Sequence, residues 1–300
     1  MAEIQVGSFT PSVLLDVARS TGRLSDQGLV VTEHAVTSSP AQFRSLLDGD
    51  LDVALTSPDN VLAYRFTPRN PLGELADARI VAAIDRGMGL GLYGRPGTTA
   101  EDLRGAKVGV DVSTSGFALA LYALADSLGV GRDEYELVAL GSTPRRLQAL
   151  LAGDCTATML NAGNELTAEG RGCVRLAGVS EALPPYLGTV VAVVGERHLD
   201  VAERLSRALL DTAGAIVSGY LTRPVAESAS RLLGLDEALA QRYVDRLRDP
   251  LEGLVPDGAV DRGALETLVR LRTRYLPNVV DGVDVLEAAL RDGSGLVHGA

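Results

Sequence analysis

The strongest constraint on the fold is an internal repeat. Ser38-Ser39-Pro40, followed by Leu46-Leu47-Asp48-Gly49-Asp50, returns 104 residues later as Ser142-Thr143-Pro144 and Leu150-Leu151-Ala152-Gly153-Asp154. The same spacing pairs Thr10 with Thr114 and Asn60 with Asn164, with no gap in between. Each copy alternates strand-like and helix-like runs. In the first, Ile4-Val6, Leu29-Val31 and Leu51-Leu55 read as strands, and Val13, Leu14, Val17 and Ala18 share one helix face. Pro40 opens a helix where its missing N–H costs nothing, and Gly49 closes it. In the second, Lys107-Val110, Leu137-Leu140 and Ala157-Leu160 are the strands. Phe117-Leu128 and Pro144-Leu151 are the helices. A βαβαβ order written twice predicts two α/β lobes, each with a mostly parallel sheet, and a cleft between them.

Ligands of open α/β sheets bind beyond the carboxyl ends of the strands, so the loops after the repeated strands are the candidate site. In the first copy these carry Ser8, Phe9 and Thr10, then Ser38, then Ser57, Asp59 and Asn60. In the second they carry Ser113, Thr114, Ser115, Gly116 and Phe117, then Ser142, then Asn161 and Asn164. Nearly all are hydroxyl- or amide-bearing and precede helices, whose first turns present unpaired N–H groups and a positive dipole end. The same residue types are ordinary N-caps, so capping and ligand contact both stand as readings. Arg145, beside Arg146, is the candidate anion clamp. Asp59, Asp111 and Glu165 favour a cationic or hydroxyl-bearing ligand instead. Phe9, Phe117 and Tyr186 are suited to stacking on a ring.

Composition narrows the partners. Lys+Arg is 28 and Asp+Glu 39, a net charge of −11, which argues against nucleic acid and against an anionic membrane surface. No run approaches the roughly 20 apolar residues of a membrane span, so no membrane insertion is expected. His34, His198 and His298 lack metal-ligand spacing. Cys155 and Cys173 have neither redox nor zinc spacing. No metal and no cofactor are expected. Gly87-Met88-Gly89-Leu90-Gly91 lacks dinucleotide-binding spacing and reads as a crossover strand near a hinge. No catalytic constellation is visible, and the catalytic residues of any enzyme reading are unknown. Met1-Ala2-Glu3 runs into the first strand without the basic and apolar segments of a secretory signal. The expectation is a cytoplasmic chain as written, or an exported one whose signal was trimmed.

Leu46-Leu47-Asp48-Gly49-Asp50-Leu51-Asp52-Val53-Ala54 resembles a signature of type 2 periplasmic binding proteins. Asp102-Leu103-Arg104-Gly105-Ala106-Lys107-Val108-Gly109-Val110 resembles the opening of their second lobe, and Ser113-Gly116 sits where the next helix begins in them. Over residues 3–220 the chain is most similar to the nitrate/sulfonate/taurine and thiamine-pyrimidine-precursor group. The resemblance implies two Rossmann-like lobes joined by two hinge crossovers, at Ile84–Tyr93 and Tyr186–Val194, with C-terminal helices from Leu199 to Arg291. Lobe I is expected to be residues 1–85 plus 190–300 and lobe II residues 92–186, and the glycine-rich tail Asp292–Ala300 is expected to be poorly held. It further implies a small-molecule ligand, anionic or ring-bearing, between the lobes. If the chain is exported, an ABC permease is the implied partner. Cytosolic enzymes share this fold, among them chorismate dehydratase, a sulfinate desulfinase and the thiamine pyrimidine synthase. A cofactor-independent lyase or hydrolase acting on a small carboxylated or ring substrate is therefore the alternative. The synthase's cysteine-rich motif is absent. Where the desulfinase carries its nucleophile, this chain has Ser8, Thr10 and Ser12. The balance lies with a binding protein.

Overall fold

The computed structural model describes residues 1–277, 282–291 and 293–299. Each copy of the repeat builds a five-stranded sheet. In the first lobe, β1 (Ala2–Ser8) lies between β2 (Leu29–Ala35) and β3 (Val53–Thr56), all parallel; β10 (Thr189–Val194) and β4 (Ala78–Asp85) complete the order β2-β1-β3-β10-β4. In the second, β6 (Lys107–Val110) lies between β7 (Glu136–Ala139) and β8 (Ala157–Leu160), followed by β5 (Gly91–Gly94) and β9 (Val174–Gly178). The fourth place in each sheet belongs to an antiparallel strand that enters through a crossover. The chain passes between lobes at residues 86–90 and 183–188. These segments are shorter than the expected crossovers, whose outer residues belong to strands.

The repeat is exact in its centre. Both α3 (Ser39–Asp48) and α6 (Thr143–Ala152) carry proline in the first turn and end on a left-handed glycine, Gly49 at φ 83° and Gly153 at φ 86°, a conformation that costs glycine nothing. The strand register corrects the gapless alignment. Ala54 and Thr158 pair with Gly7 and Gly109, so β3 and β8 keep the 104-residue spacing while β1 and β6 lie 102 apart. The second copy spends its two additional residues between its first and second strands. There it builds α5 (Gly116–Ser127), 12 residues long, where the first copy has α1 (Val13–Ser20), 8 residues long, and the short α2 (Arg23–Asp26).

The C-terminal third does more than cover one lobe. α9 (Leu199–Val217) lies on the first sheet, and α10 (Thr222–Leu233) packs on α1. α11 (Glu237–Arg248) packs on α7 (Asn164–Gly170) of the second lobe, and α12 (Arg262–Tyr275) lies across α4 (Pro58–Phe66) and α5. Because α1 matches α5 and α4 matches α7 in the repeat, both flanks of the cleft are bridged in equivalent ways. One apolar core runs from Phe43, Leu62 and Tyr64 through Leu119 and Leu121 to Leu265 and Leu268 of α12. The expectation of a loose tail is not met: Ile80 N–H donates to the Leu296 carbonyl at 2.7 Å, His298 N–H donates to Ile80 at 2.8 Å, and Leu296 is buried. These backbone bonds to a core strand hold it despite its glycines. Asp292 and Ala300 lie outside the described residues.

The two crossovers touch. A Cβ on Gly188 would lie 2.6 Å from Gly87 Cα and 2.3 Å from Asp85 Oδ1, so glycine is required for this approach. Gly87, Met88 and Gly89 all have positive φ, and for Met88 that conformation carries strain.

Candidate functional site

Between the lobes, under the crossovers, lies a cavity with about 780 Å³ of empty space, part of it open to solvent. Lobe I contributes Ser8, Phe9 and Thr10 from its first loop and Leu55, Thr56 and Ser57 from the end of β3. Lobe II contributes Phe117, Thr143, Asn161 and Ala162. Asp85, Met88, Gly188 and Thr189 form the crossover wall, and Leu209, Tyr243, Leu247 and Leu254 close the back. The lining is mainly aliphatic and aromatic.

Most lining hydroxyls are tied to the protein. Ser8 Oγ donates to Glu33 Oε1 at 2.6 Å, and the same oxygen accepts from Ser12 N–H at 2.8 Å. Thr56 Oγ1 accepts from Asn60 at 3.0 Å, and Ser57 Oγ accepts from Asp59 N–H. Thr143 Oγ1 accepts from Arg146 at 2.9 Å. Asn164 Nδ2 reaches across the lobes to Thr10 Oγ1 at 3.4 Å.

Carboxylates occupy the surrounding helix starts. Ser12 caps α1, where Glu33 sits. At α5, Asp111 accepts from Ser115 Oγ at 2.5 Å; burial raises the Asp111 pKa, opposed by the nearby Arg146. At α4, Asp59 is fully buried and takes a two-pronged bond from Arg272, at 3.0 and 2.5 Å, and Arg272 also reaches the Thr114 carbonyl at 3.3 Å. At α7, Glu165 accepts from Gly163 N–H at 2.8 Å, and its other oxygen has no hydrogen-bond partner among the described residues. Burial pushes Glu165 up to about 7, opposed by Arg246, whose Nε lies 3.9 Å away. Asp85, on the cavity wall, is pushed up to about 6 by burial, against hydrogen bonds from Thr189 and from Gly87 N–H.

A family model described as "ABC transporter, phosphonate, periplasmic substrate-binding protein" matches residues 23–234, well over half of the chain. The chain belongs to this family. Solved structures share its fold. A protein from Bordetella bronchiseptica RB50 is 17% identical with a TM-score of 0.72, covering 95% of this chain and 93% of its own. The alkanesulfonate-binding protein SsuA from Xanthomonas axonopodis pv. citri is 14% identical with a TM-score of 0.69, covering 92% and 93%. The desulfurization enzyme DszB is 17% identical with a TM-score of 0.61, covering 96% and 95%. No curated protein matches the chain. The two-lobed type 2 periplasmic-binding-protein architecture is thus established, and with it membership in a group of transport-associated substrate-binding proteins. No described helix is long and apolar enough to cross a membrane.

Of the residues expected at the site, the structure brings together Ser8, Phe9, Thr10, Ser57, Phe117 and Asn161. Ser38 caps α3, and Ser115 caps α5. Ser142 stands at the α6 N-cap without a side-chain bond. Asn60 and Asn164 serve as struts, and Asp59 is committed to Arg272. Gly116 is where the lobes meet: a Cβ there would lie 2.8 Å from the Asp59 Cβ. Ser113 is exposed, and its carbonyl accepts from Tyr122. Arg145 is exposed and lines no part of the cavity, whereas Arg146 turns inward. Arg146 donates to the Met159 and Gly141 carbonyls, and its guanidinium carbon lies 5.5 Å from the Phe117 ring centre. Helical periodicity places one of two adjacent arginines outside. Sequence reasoning missed Asp85, Met88, Thr189 and Tyr243. For Asp85 a signal existed: an acid closing the apolar run Ile80–Ile84, just before the glycine-rich crossover.

Proposed function

We propose that the chain holds an apolar, ring-bearing small molecule in the interlobe cavity and delivers it to the permease of an ABC importer, acting in the periplasm like its family. The observation that carries this reading is the cavity: both lobes and both crossovers line it, so occupancy bears directly on lobe closure. Residues 1–85 plus 190–300 and residues 92–186 are the units that close. Phe9 and Phe117, one from each lobe, supply the aromatic faces. Ser57, Thr10 and Asn161 supply orienting polar groups. Outside the cavity, Ser38, Asn60 and Asn164 hold these loops in place. The enzymatic alternative gains less support. Neither Cys155 nor Cys173 is among the residues that line the cavity, and the Ser8 hydroxyl donates to Glu33.

The test is native mass spectrometry of protein purified from its producing cells, compared with Phe9→Ala/Phe117→Ala. A co-purifying organic molecule that is retained by the wild type and lost from the double variant is expected. Retention by the folded double variant would overturn the assignment of the cavity.

A further inference from the structure

The cavity's electrostatics point to the chemistry of its ligand. The argument rests on the reading of this cavity as the ligand site. No arginine, lysine or histidine is among its described lining residues. The guanidiniums around it are committed: buried Arg272 to Asp59, buried Arg146 to two carbonyls and Thr143, part-exposed Arg246 to Glu252 and Glu165, and part-exposed Arg86 to the Leu254 carbonyl. Helix starts are the usual alternative anion site; at α1 Glu33 already accepts from the Ser12 N–H and at α5 Asp111 stands, while α6 starts at Ser142 without a side-chain cap and its Thr143 on the cavity wall takes a bond from Arg146. A carboxylate, Asp85, is itself part of the wall. It is 5% exposed, and among its hydrogen-bond partners are Gly87 N–H of the first crossover and Thr189, the first residue of β10 after the second. An oxyanion in this cavity would be desolvated beside a carboxylate with no cation among the described lining residues to meet it, which is costly.

We propose that the ligand is an apolar, ring-bearing molecule whose polar end donates hydrogen bonds, a protonated amine or a hydroxyl, and that Asp85 receives that end. Asp85 sits where β4 becomes the first crossover, against Gly188 of the second. A donor bound there is read by the segment that joins the lobes. The ligand class differs from the phosphonate in the family's description, and the difference lies in this chain's own residues.

Calorimetric titration with three probes of one body tests it: benzylamine, benzyl alcohol and benzylphosphonate. Benzylamine and benzyl alcohol are expected to bind the wild type, and benzylphosphonate at least about 100-fold more weakly than benzylamine. Asp85→Asn keeps the shape and an acceptor oxygen. It is expected to weaken benzylamine about tenfold or more and to leave benzyl alcohol within a few-fold. Phe9→Ala/Phe117→Ala locates the probe. Loss of benzylamine binding in that variant places it in the cavity. Benzylamine binding that survives it places the probe elsewhere and defeats the cavity reading itself. Cavity-dependent binding in which benzylphosphonate equals or exceeds benzylamine leaves the cavity reading standing and overturns the proposed ligand class. Failure of both benzylamine and benzyl alcohol to bind at millimolar concentration overturns it as well.

Discussion

The two flanks of the cleft are built alike and charged differently. On one, α12 sends Arg272 to Asp59, the second residue of α4; on the other, α11 sends Arg246 toward Glu165, the second residue of α7. Asp59 receives two close bonds from a guanidinium that is as buried as itself. Glu165 has its guanidinium at 3.9 Å and one oxygen without a hydrogen-bond partner among the described residues. The repeat therefore fixes where an acid stands. How firmly it is held depends on the helix that arrives from elsewhere in the chain.

That comparison breaks most visibly at the arginines. Arg272→Ala is expected to cost about 3–5 kcal/mol, because it strands a buried carboxylate. Arg246→Ala should cost less than half as much, since Glu165 can take up a proton and Glu252 keeps Arg175 at 3.5 Å. Urea unfolding of both variants measures the difference; equal costs would mean that the flanks are not distinct. Arg272→Met with Asp59→Leu should recover most of the loss.

A smaller effect is expected in the pH dependence. Glu165 faces Arg246, Glu169, Tyr93 and Tyr243, and burial lifts it from 4.5 to about 7. The folded state then binds a proton more tightly than the unfolded state. The stability this supplies is present below about pH 4.5 and is lost as pH rises through about 7. Glu165→Gln should be more stable than the wild type at pH 8 by on the order of 1–3 kcal/mol and nearly equal to it at pH 4. Urea midpoints at the two pH values decide this. A difference independent of pH would remove Glu165 as the titrating group.

Much of the scaffold was legible in the sequence because it is local. Pro40 and Pro144 open helices, Gly49 and Gly153 end them, and the strand runs lie within two residues of their observed ends except the second, which continues four residues past Val31 to Ala35. Part of the cavity was legible too, since Ser8, Phe9, Thr10, Ser57, Phe117 and Asn161 stand at or after the ends of the repeated strands. What escaped has long-range causes. Asp59 reads as a ligand contact until Arg272 arrives from 213 residues away. Asp85 becomes a wall only when the crossovers meet at Gly188. Arg145 and Arg146 are told apart only by which side of α6 is buried.

The smallest expected effects compare the first loops. Ser115→Ala removes both the α5 cap and a donor to Asp111 and should cost about 1–2 kcal/mol. Ser8→Ala removes one bond, to the part-exposed Glu33, and should cost about 0.5–1.5 kcal/mol. Thermal unfolding ranks the pair, and the reverse order would contradict the assignment of lobe II's loop to structure and lobe I's to the ligand.

The central claim is that the cavity between Phe9, Phe117 and Asp85 holds the ligand. A crystal structure of the protein saturated with benzylamine tests it most directly. The account predicts the ring between the two phenylalanines with the amine within hydrogen-bond distance of Asp85. An empty cavity at saturation, or a probe bound outside the lobes, would contradict it.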